Sequence, residues 1–518
     1  MEFTNQLKNQ HLLWRAGFGP MAEDLTALTA SSQKSFTNAL WKASARSVEP
    51  IMVADNVLKG LAMGVGEITQ RKDLSPEEKR RIRQQSQQDL KSLNLAWLGE
   101  MVNTDAQLRE KMALFWHGHF ASRNLNIYYQ QLLLDTIRQG ALGNFGDLLR
   151  GVSKSAAMIN FLNNNQNRKD HPNENFAREV MELFTIGRGN YTEHDVKESA
   201  RAFTGWGATL SGEFQFRKGQ HDDGQKTVLG KTGNLDGDAV LDILLEQRQT
   251  ALFITRKLWR YLVNDEVDEA RVEWLAGRFY QSNYDIKGLL LDIFDGGWFY
   301  DSRNIGSRIK SPVDLLVGIR RLLPMKIANE QVQLLIQRLL GQLLFYPPNV
   351  AGWPGGASWI DSSSLMFRLR LPELIYASGE FQQQPKDDDD QMMGMKDRPM
   401  GEAQNAAGVS GNTSSGDDQP EGGDRSSRRF GGGKFGKGRG AEAGAQMIRA
   451  EIDWAPYLKR FDGVSREQLP AAVGATVLQT ASGIGADMLK KYTDNDSREG
   501  FIKTATIRLM STPEYQLC

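Results

Sequence analysis

The chain runs to 518 residues, with 63 basic and 63 acidic side chains and a hydrophobic fraction of 40%. It is too long for one ordinary core, so one large body with a satellite, or two domains, is expected. The cancelled charge leaves no global field to draw in nucleic acid or an anionic membrane. The only cysteine is Cys518, which excludes an intramolecular disulfide and a four-cysteine zinc site, so any metal must be held by His and carboxylate ligands.

The N-terminus lacks the basic start and apolar run of a signal peptide. No stretch approaches ~20 uncharged apolar residues, so no membrane span is expected. Together these predict a cytoplasmic protein, or one exported by a non-classical route.

Helix signals dominate in chain order. Ser75-Pro76-Glu77-Glu78 reads as a capping box with Pro at the first helical position, opening a long charged helix to about Met101. Thr104 to Gln107 reads as a second box ahead of Leu108, Met112, Phe115 and Trp116 on one apolar face. Thr192 with Asp195, and Ser465 with Gln468, read as further starts. Apolar alternation around Phe214-Gln215-Phe216 predicts a small β-hairpin. Helical patterns then cover 241–246, 251–263, 272–281, 312–323 and 331–340. No regular strand–helix alternation appears, which argues against a doubly wound α/β sheet. The expected class is mainly α: a large helical body at 1–378 with one small hairpin, a long disordered insertion at 379–446, and helices at 447–518 packing back.

The insertion is predicted from composition. It holds Asp387 to Asp390, a Gly/Ser/Asn/Asp-rich middle, and Arg428, Arg429, Lys434, Lys437 and Arg439 among glycines. Little there can bury apolar area against the entropy of ordering. Its basic part is similar to RNA-binding RGG segments, but it has only Phe430 and Phe435 as aromatics and follows an acidic run, so no nucleic-acid partner is expected.

Three of the six histidines fall in polar islands: Phe115-Trp116-His117-Gly118-His119-Phe120 and His221-Asp222-Asp223-Gly224-Gln225-Lys226, with Asn173-Glu174-Asn175-Phe176-Ala177-Arg178-Glu179 between them. Imidazole and carboxylate are the groups that bind metals and move protons near neutral pH. His117 and His119 point about 200° apart on a continuous helix, so both can serve one site only if Gly118 ends the helix; otherwise they cap its last turn. At 100° per residue Glu174, Arg178, Glu182 and Thr185 share an arc, with Glu179 alongside. The plain reading is an exposed face with Glu174–Arg178 and Arg178–Glu182 pairs worth roughly 0.3–0.5 kcal/mol each. Asn173 after Pro172 reads as a helix entry whose N–H groups meet an anion. Asp222 is placed to ligate a metal or orient His221, and Lys226 to meet an anion; a solvated turn is the alternative. His11, His171 and His194 read as structural. Phe345 to Asn349 and Gly352 to Trp359 form an aromatic loop, a plug over the core or a sugar-stacking surface through Trp353 and Trp359. No phosphate-loop spacing, G-x-S-x-G elbow or H-E-x-x-H pair occurs.

The chain resembles the DUF1800 family. The match runs through His11-Leu12-Leu13-Trp14-Arg15-Ala16-Gly17-Phe18-Gly19-Pro20, Met112 to Phe120, Asn173 to Gly187, Tyr191-Thr192-Glu193, Ala200 to Trp206, His221-Asp222, Ile309-Lys310-Ser311-Pro312 and Gly341 to Trp353. The insertion departs from the family's compact pattern. The resemblance implies a mostly helical bacterial protein with no established activity or cofactor. It also implies gene neighbours of the DUF1501 type, which are similar to alkaline phosphatases and sulfatases. Two functions are therefore expected. One is a site uniting His117, His119, Glu174, Arg178, Glu179, His221 and Asp222, with His117, His119, Glu179 and His221 holding a divalent metal or acting as acid and base and Arg178 holding an anionic group. The other is a non-catalytic scaffold working with a hydrolase-like DUF1501-type partner. A carbohydrate-binding role is a third reading.

Overall fold

The first helix, α1 (Asn5–Ala16), starts where the Thr4 hydroxyl accepts from the Leu7 N–H and buries its C-terminal half. The computed structural model describes residues 4–54, 75–124, 126–209, 211–381, 446–480 and 483–518. The capping box at Ser75 forms as predicted: Glu78 N–H donates to Ser75 Oγ at 3.2 Å and Ser75 N–H to Glu78 Oε2 at 2.8 Å, opening α2 (Pro76–Asn103). The second predicted box does not form. Thr104 instead ends α2, its N–H bonded to Glu100 O, and α3 (Gln107–His119) begins later. The Gln107 carboxamide turns away to accept the Phe18 N–H at 3.2 Å, because the extended Gly17 has taken Phe18 out of α1 and left that donor without a helical partner.

Helix α3 is buried along almost its whole length. Leu108, Met112 and Trp116 fill the centre, and its charged side chains are paired inside: Lys111 with Asp314, and Glu110 with Arg138 at 2.8 Å and the Trp97 indole at 2.8 Å. Helix α4 (Ile127–Gly140) lies against it and supplies Arg138. After two further helices, Phe145–Ser153 and Ala156–Phe161, α5 (Asn175–Glu179) runs directly into a π turn, Val180–Phe184. Then α6 (Glu193–Ala202) begins at the predicted Thr192–Asp195 start, which forms a capping box.

The predicted hairpin is β1 (Trp206–Ala208) paired with β2 (Phe214–Phe216) in antiparallel register, Trp206 opposite Phe216. A second short pair, β3 (Lys226–Val228) with β4 (Lys231–Gly233), follows. Helices α7 (Gly237–Leu245), α8 (Arg248–Leu262) and α9 (Glu269–Gln281) come next, α8 and α9 packing as neighbours. Ser311 with Asp314 forms a further capping box at the head of α10 (Pro312–Leu322), and α11 (Val332–Leu339) and α12 (Ser362–Tyr376) complete the body.

The residues after 446 thread back through this body. β5 (Met325–Ile327) pairs with β8 (Ala450–Ile452), and β6 (Glu380–Phe381) with β7 (Gln446–Met447). At the far end Cys518 N–H donates to Arg308 O at 2.7 Å and Lys310 N–H to Gln516 O at 2.8 Å. Ser465 does not cap the next helix; α13 (Leu469–Val477) starts at Gln468 without a side-chain cap and packs on α14 (Arg498–Met510). Tyr457, Phe461, Leu469 and Val473 are buried there, whereas Trp454 is half-buried against Tyr376. The fold is mainly α with a few two-stranded antiparallel pairs. The predicted disordered insertion, 379–446, lies outside the described residues apart from its edges. Among the described residues no helix is long and apolar enough to cross a membrane.

Candidate functional site

The first island sits at the end of α3, and the helix continues through Gly118 to His119, so the two imidazoles diverge. The His117 Nε2 accepts the Phe345 N–H at 3.2 Å, and its ring is enclosed by Trp97, Phe345 and Trp353. Burial pushes its pKa down to about 3. Phe345 itself holds φ at 67°, a costly conformation for an aromatic residue that the surrounding packing must enforce.

His119 faces the other way, toward α8 and the π turn. Lys257 Nζ lies 3.0 Å from His119 Nδ1, and His119 Nε2 lies 3.2 Å from the Phe184 carbonyl. An ammonium only donates, so Nδ1 is the acceptor and the Nε2–H donates to Phe184. Burial, then the nearby Lys257 charge, holds the His119 pKa well below the usual imidazole value. Burial also lowers Lys257 to about 8. The Phe253 ring lies one turn away, 5.0 Å from the amine, and no carboxylate among the described residues pairs with it. The π turn supplies the carbonyls. Bonding at i→i+5 displaces backbone acceptors from the regular ladder; Leu183 O is then 3.4 Å from Lys257, and Phe184 O meets His119. The Thr185 hydroxyl secures the turn by donating to Val180 O at 2.7 Å.

The same turn changes the second island. The predicted Arg178–Glu182 pair does not form, because a π turn rotates Glu182 off the 100° spacing on which that pair depends. Arg178 bonds Glu193 through both terminal nitrogens, at 2.7 and 2.8 Å, and Glu174 at 3.2 Å. Glu182 takes the Tyr191 hydroxyl at 2.5 Å and Arg188 at 2.8 Å. Glu179 is half-buried and has no hydrogen bond or ion pair among the described residues; burial, then the Glu182 charge, raises its pKa. The predicted anion-binding helix entry is filled by the chain's own amides: Asn173 N–H donates to Asn167 Oδ1 at 2.9 Å and Asn175 N–H to Asn173 Oδ1 at 3.0 Å.

In the third island Asp222 does not orient His221. Arg201 clamps Asp222 at 2.7 and 3.2 Å and holds its pKa below the usual carboxylate value. Lys226 is buried and donates to the carbonyls of Asp222 and Gly224. His221 is fixed instead by the Thr204 carbonyl, 2.9 Å from Nδ1. That leaves Nε2 as an acceptor without a partner among the described residues. His11 is buried against Phe299, and His194 is exposed.

Island one thus touches the π turn that follows island two, His119 against Phe184 O, and Asn167 joins Asn173 of island two to the Thr204–Gly205 turn that holds His221, its carbonyl accepting the Gly205 N–H at 3.1 Å. They do not present one donor set. Among the described residues no group of three or more His, Cys, Asp or Glu side chains is placed to share a metal ion, so His117, His119, Glu179 and His221 are not assembled as ligands. In the aromatic loop Trp359 is buried and Trp353 alone keeps a partly open face.

A family model described as "Protein of unknown function (DUF1800)" matches residues 11–517. The chain belongs to the DUF1800 family. No curated protein and no solved structure matches it.

Much of what marks the chain as DUF1800 builds the interior. Arg15 donates to the carbonyls of Val263 and Asn304 at 2.8 and 2.5 Å. Lys310 lies between the rings of Trp14 and Tyr515, 3.7 Å from each centroid, and burial lowers it to about 7. Gly19, at φ 93°, lets the Trp14 indole close over the turn. Sequence reasoning missed Lys257 and the π turn. The available signal was a lysine at i+4 from Phe253 and i−4 from Tyr261, beside the buried Ile254 and Leu258, a place where a cation needs a partner.

Proposed function

We propose that this DUF1800 chain is an acid–base protein whose working group is the Lys257 amine, positioned by His119. The reading is carried by one observation: a lysine lowered to about 8, with no carboxylate partner among the described residues, directed at a neutral imidazole. An ammonium has three N–H donors. One meets His119, one reaches Leu183 O only weakly, and the third has no partner among the described residues. Near pH 7 Lys257 donates its proton to an oxyanion forming on a bound substrate and is left as the neutral amine, which solvent protonates again. Above pH 8 the same amine is a base or nucleophile. Glu179 and His221 are further candidates, since each keeps an unengaged acceptor, but the reading gives them no step.

Competitive acetylation across pH 6–11, followed by peptide mass spectrometry, tests this. Lys257 should react ahead of surface lysines at pH 8, with a midpoint near 8. An amine that stays unmodified throughout, or titrates with the surface lysines, rules the reading out. The scaffold reading, with a hydrolase-like DUF1501-type partner, is favoured by Arg178 and Asp222, whose charges are consumed in ion pairs. It predicts that Lys257 titrates with the surface lysines.

A further inference from the structure

A cavity of about 520 Å³ lies between the start of α1 and the C-terminal helices, well away in sequence from the His119–Lys257 pair. Its size falls within the range of small-molecule sites. Its walls are largely aliphatic, with Leu7, Leu478, Ile484, Leu489 and Leu509 among them, and none of the described lining residues carries a charge. In a chain of which 24% is charged, an uncharged lining near the surface sets the chemistry of what can enter: an ion would lose its hydration and find no counter-charge.

The polar groups of the wall are amides. Gln6 and Gln10 direct their side-chain N–H groups to the Ala475 carbonyl at 3.0 Å each, and Gln10 also to Thr476 O at 3.1 Å. Both side-chain oxygens remain as acceptors. Gln479 is only 6% exposed, and neither end of its amide has a hydrogen-bond partner among the described residues. The neighbouring Thr480 hydroxyl likewise has no partner among the described residues. A buried amide left unpaired is destabilising at both ends, so a glutamine here is a poor choice for packing and a suitable one for a ligand.

We infer that this cavity binds a neutral amphipathic small molecule, an apolar body carrying an N–H or O–H donor, whose polar end is met by Gln479 and the oxygens of Gln6 and Gln10. On binding, the Gln479 carboxamide turns from the wall to the ligand. The site is independent of the Lys257 chemistry.

The test uses the full chain and the neutral fluorophore N-phenyl-naphthylamine, with anilinonaphthalene sulfonate as its anionic counterpart. The neutral probe should bind saturably at one site and the sulfonate at least about tenfold more weakly, since its charge has no partner. Gly474→Phe should abolish binding, because an added Cβ there meets only open space and the ring would fill the groove. Circular dichroism checks that this variant folds; if it does not, Ala471→Phe, at an exposed position of the same wall, takes its place. Gln479→Leu should weaken the probe about fivefold, the loss of one hydrogen bond, while raising the melting temperature because the orphaned amide is gone. The inference is overturned if the neutral probe does not saturate, if the sulfonate binds as well, if the groove-filling variant binds like wild type, or if Gln479→Leu lowers stability and leaves binding unchanged.

Discussion

Lys111 and Lys257 are both drawn out of bulk water, and they end in opposite company. Lys111 is buried on α3 beside Asp314 at 2.6 Å, flanked by the rings of Phe18 and Tyr261. Burial alone would raise the Asp314 carboxyl, but the Lys111 ammonium, with Arg308 and the Ser311 hydrogen bond, outweighs it and holds the group below its usual value. The pair is closed, and its charge is fixed by its partner. Lys257 meets a neutral imidazole and a π-turn carbonyl, and burial lowers it to about 8. The comparison shows how the partner decides whether a buried lysine is structural or free to exchange its proton.

The largest effect should come from opening the closed pair. Asp314→Ala leaves the Lys111 ammonium uncompensated in the core and should cost roughly 3–5 kcal/mol by urea denaturation, whereas Lys111→Met with Asp314→Leu should recover most of it. Recovery in the double variant separates a buried pair from simple loss of packing.

The open lysine should show itself through pH. Its folded pKa, about 8 against the ordinary lysine value of 10.5, is depressed. Between those values the unfolded chain holds a proton that the folded chain has released, so stability rises with pH through that window. Below pH 8 the ammonium is present in both states and the folded state bears the full cost. Lys257→Met removes this dependence, so wild type should gain about 3 kcal/mol on the variant between pH 7 and pH 10.5. A parallel pair of stability curves would contradict it.

Thr185→Val should loosen the π turn by removing the bond to Val180 O, at a cost of about 1 kcal/mol. It should also move the Lys257 titration, since that turn positions both carbonyls; an unmoved titration would separate the turn from the site. Smallest of all, Glu193→Gln breaks an exposed pair with Arg178. It should leave both the melting temperature and the Lys257 titration where they are, and a shift in either would tie the second island to the site.

The helical class was legible because capping boxes and apolar spacing are local, and the starts at Ser75 and Thr192 form as read. Thr104 and Ser465 misled because the same residue types also end helices and line turns, and only the neighbouring chain decides which. Phe18 illustrates this, since its bare N–H drew Gln107 away from a cap. The site was legible as residue types and not as partnerships. His119, Arg178 and Asp222 are found in structured polar settings, but their partners Lys257, Glu193 and Arg201 lie 138, 15 and 21 positions away. The π turn was invisible because a fixed 100° projection assumes the regular helix that it interrupts.

The central claim is that Lys257 titrates near neutrality because nothing negative holds its proton. Nitrogen-detected NMR of the lysine amines, with the Lys257 signal assigned by its absence in Lys257→Met, measures this directly. The account predicts a midpoint at about 8, and a midpoint at the ordinary lysine value of 10.5 would contradict it.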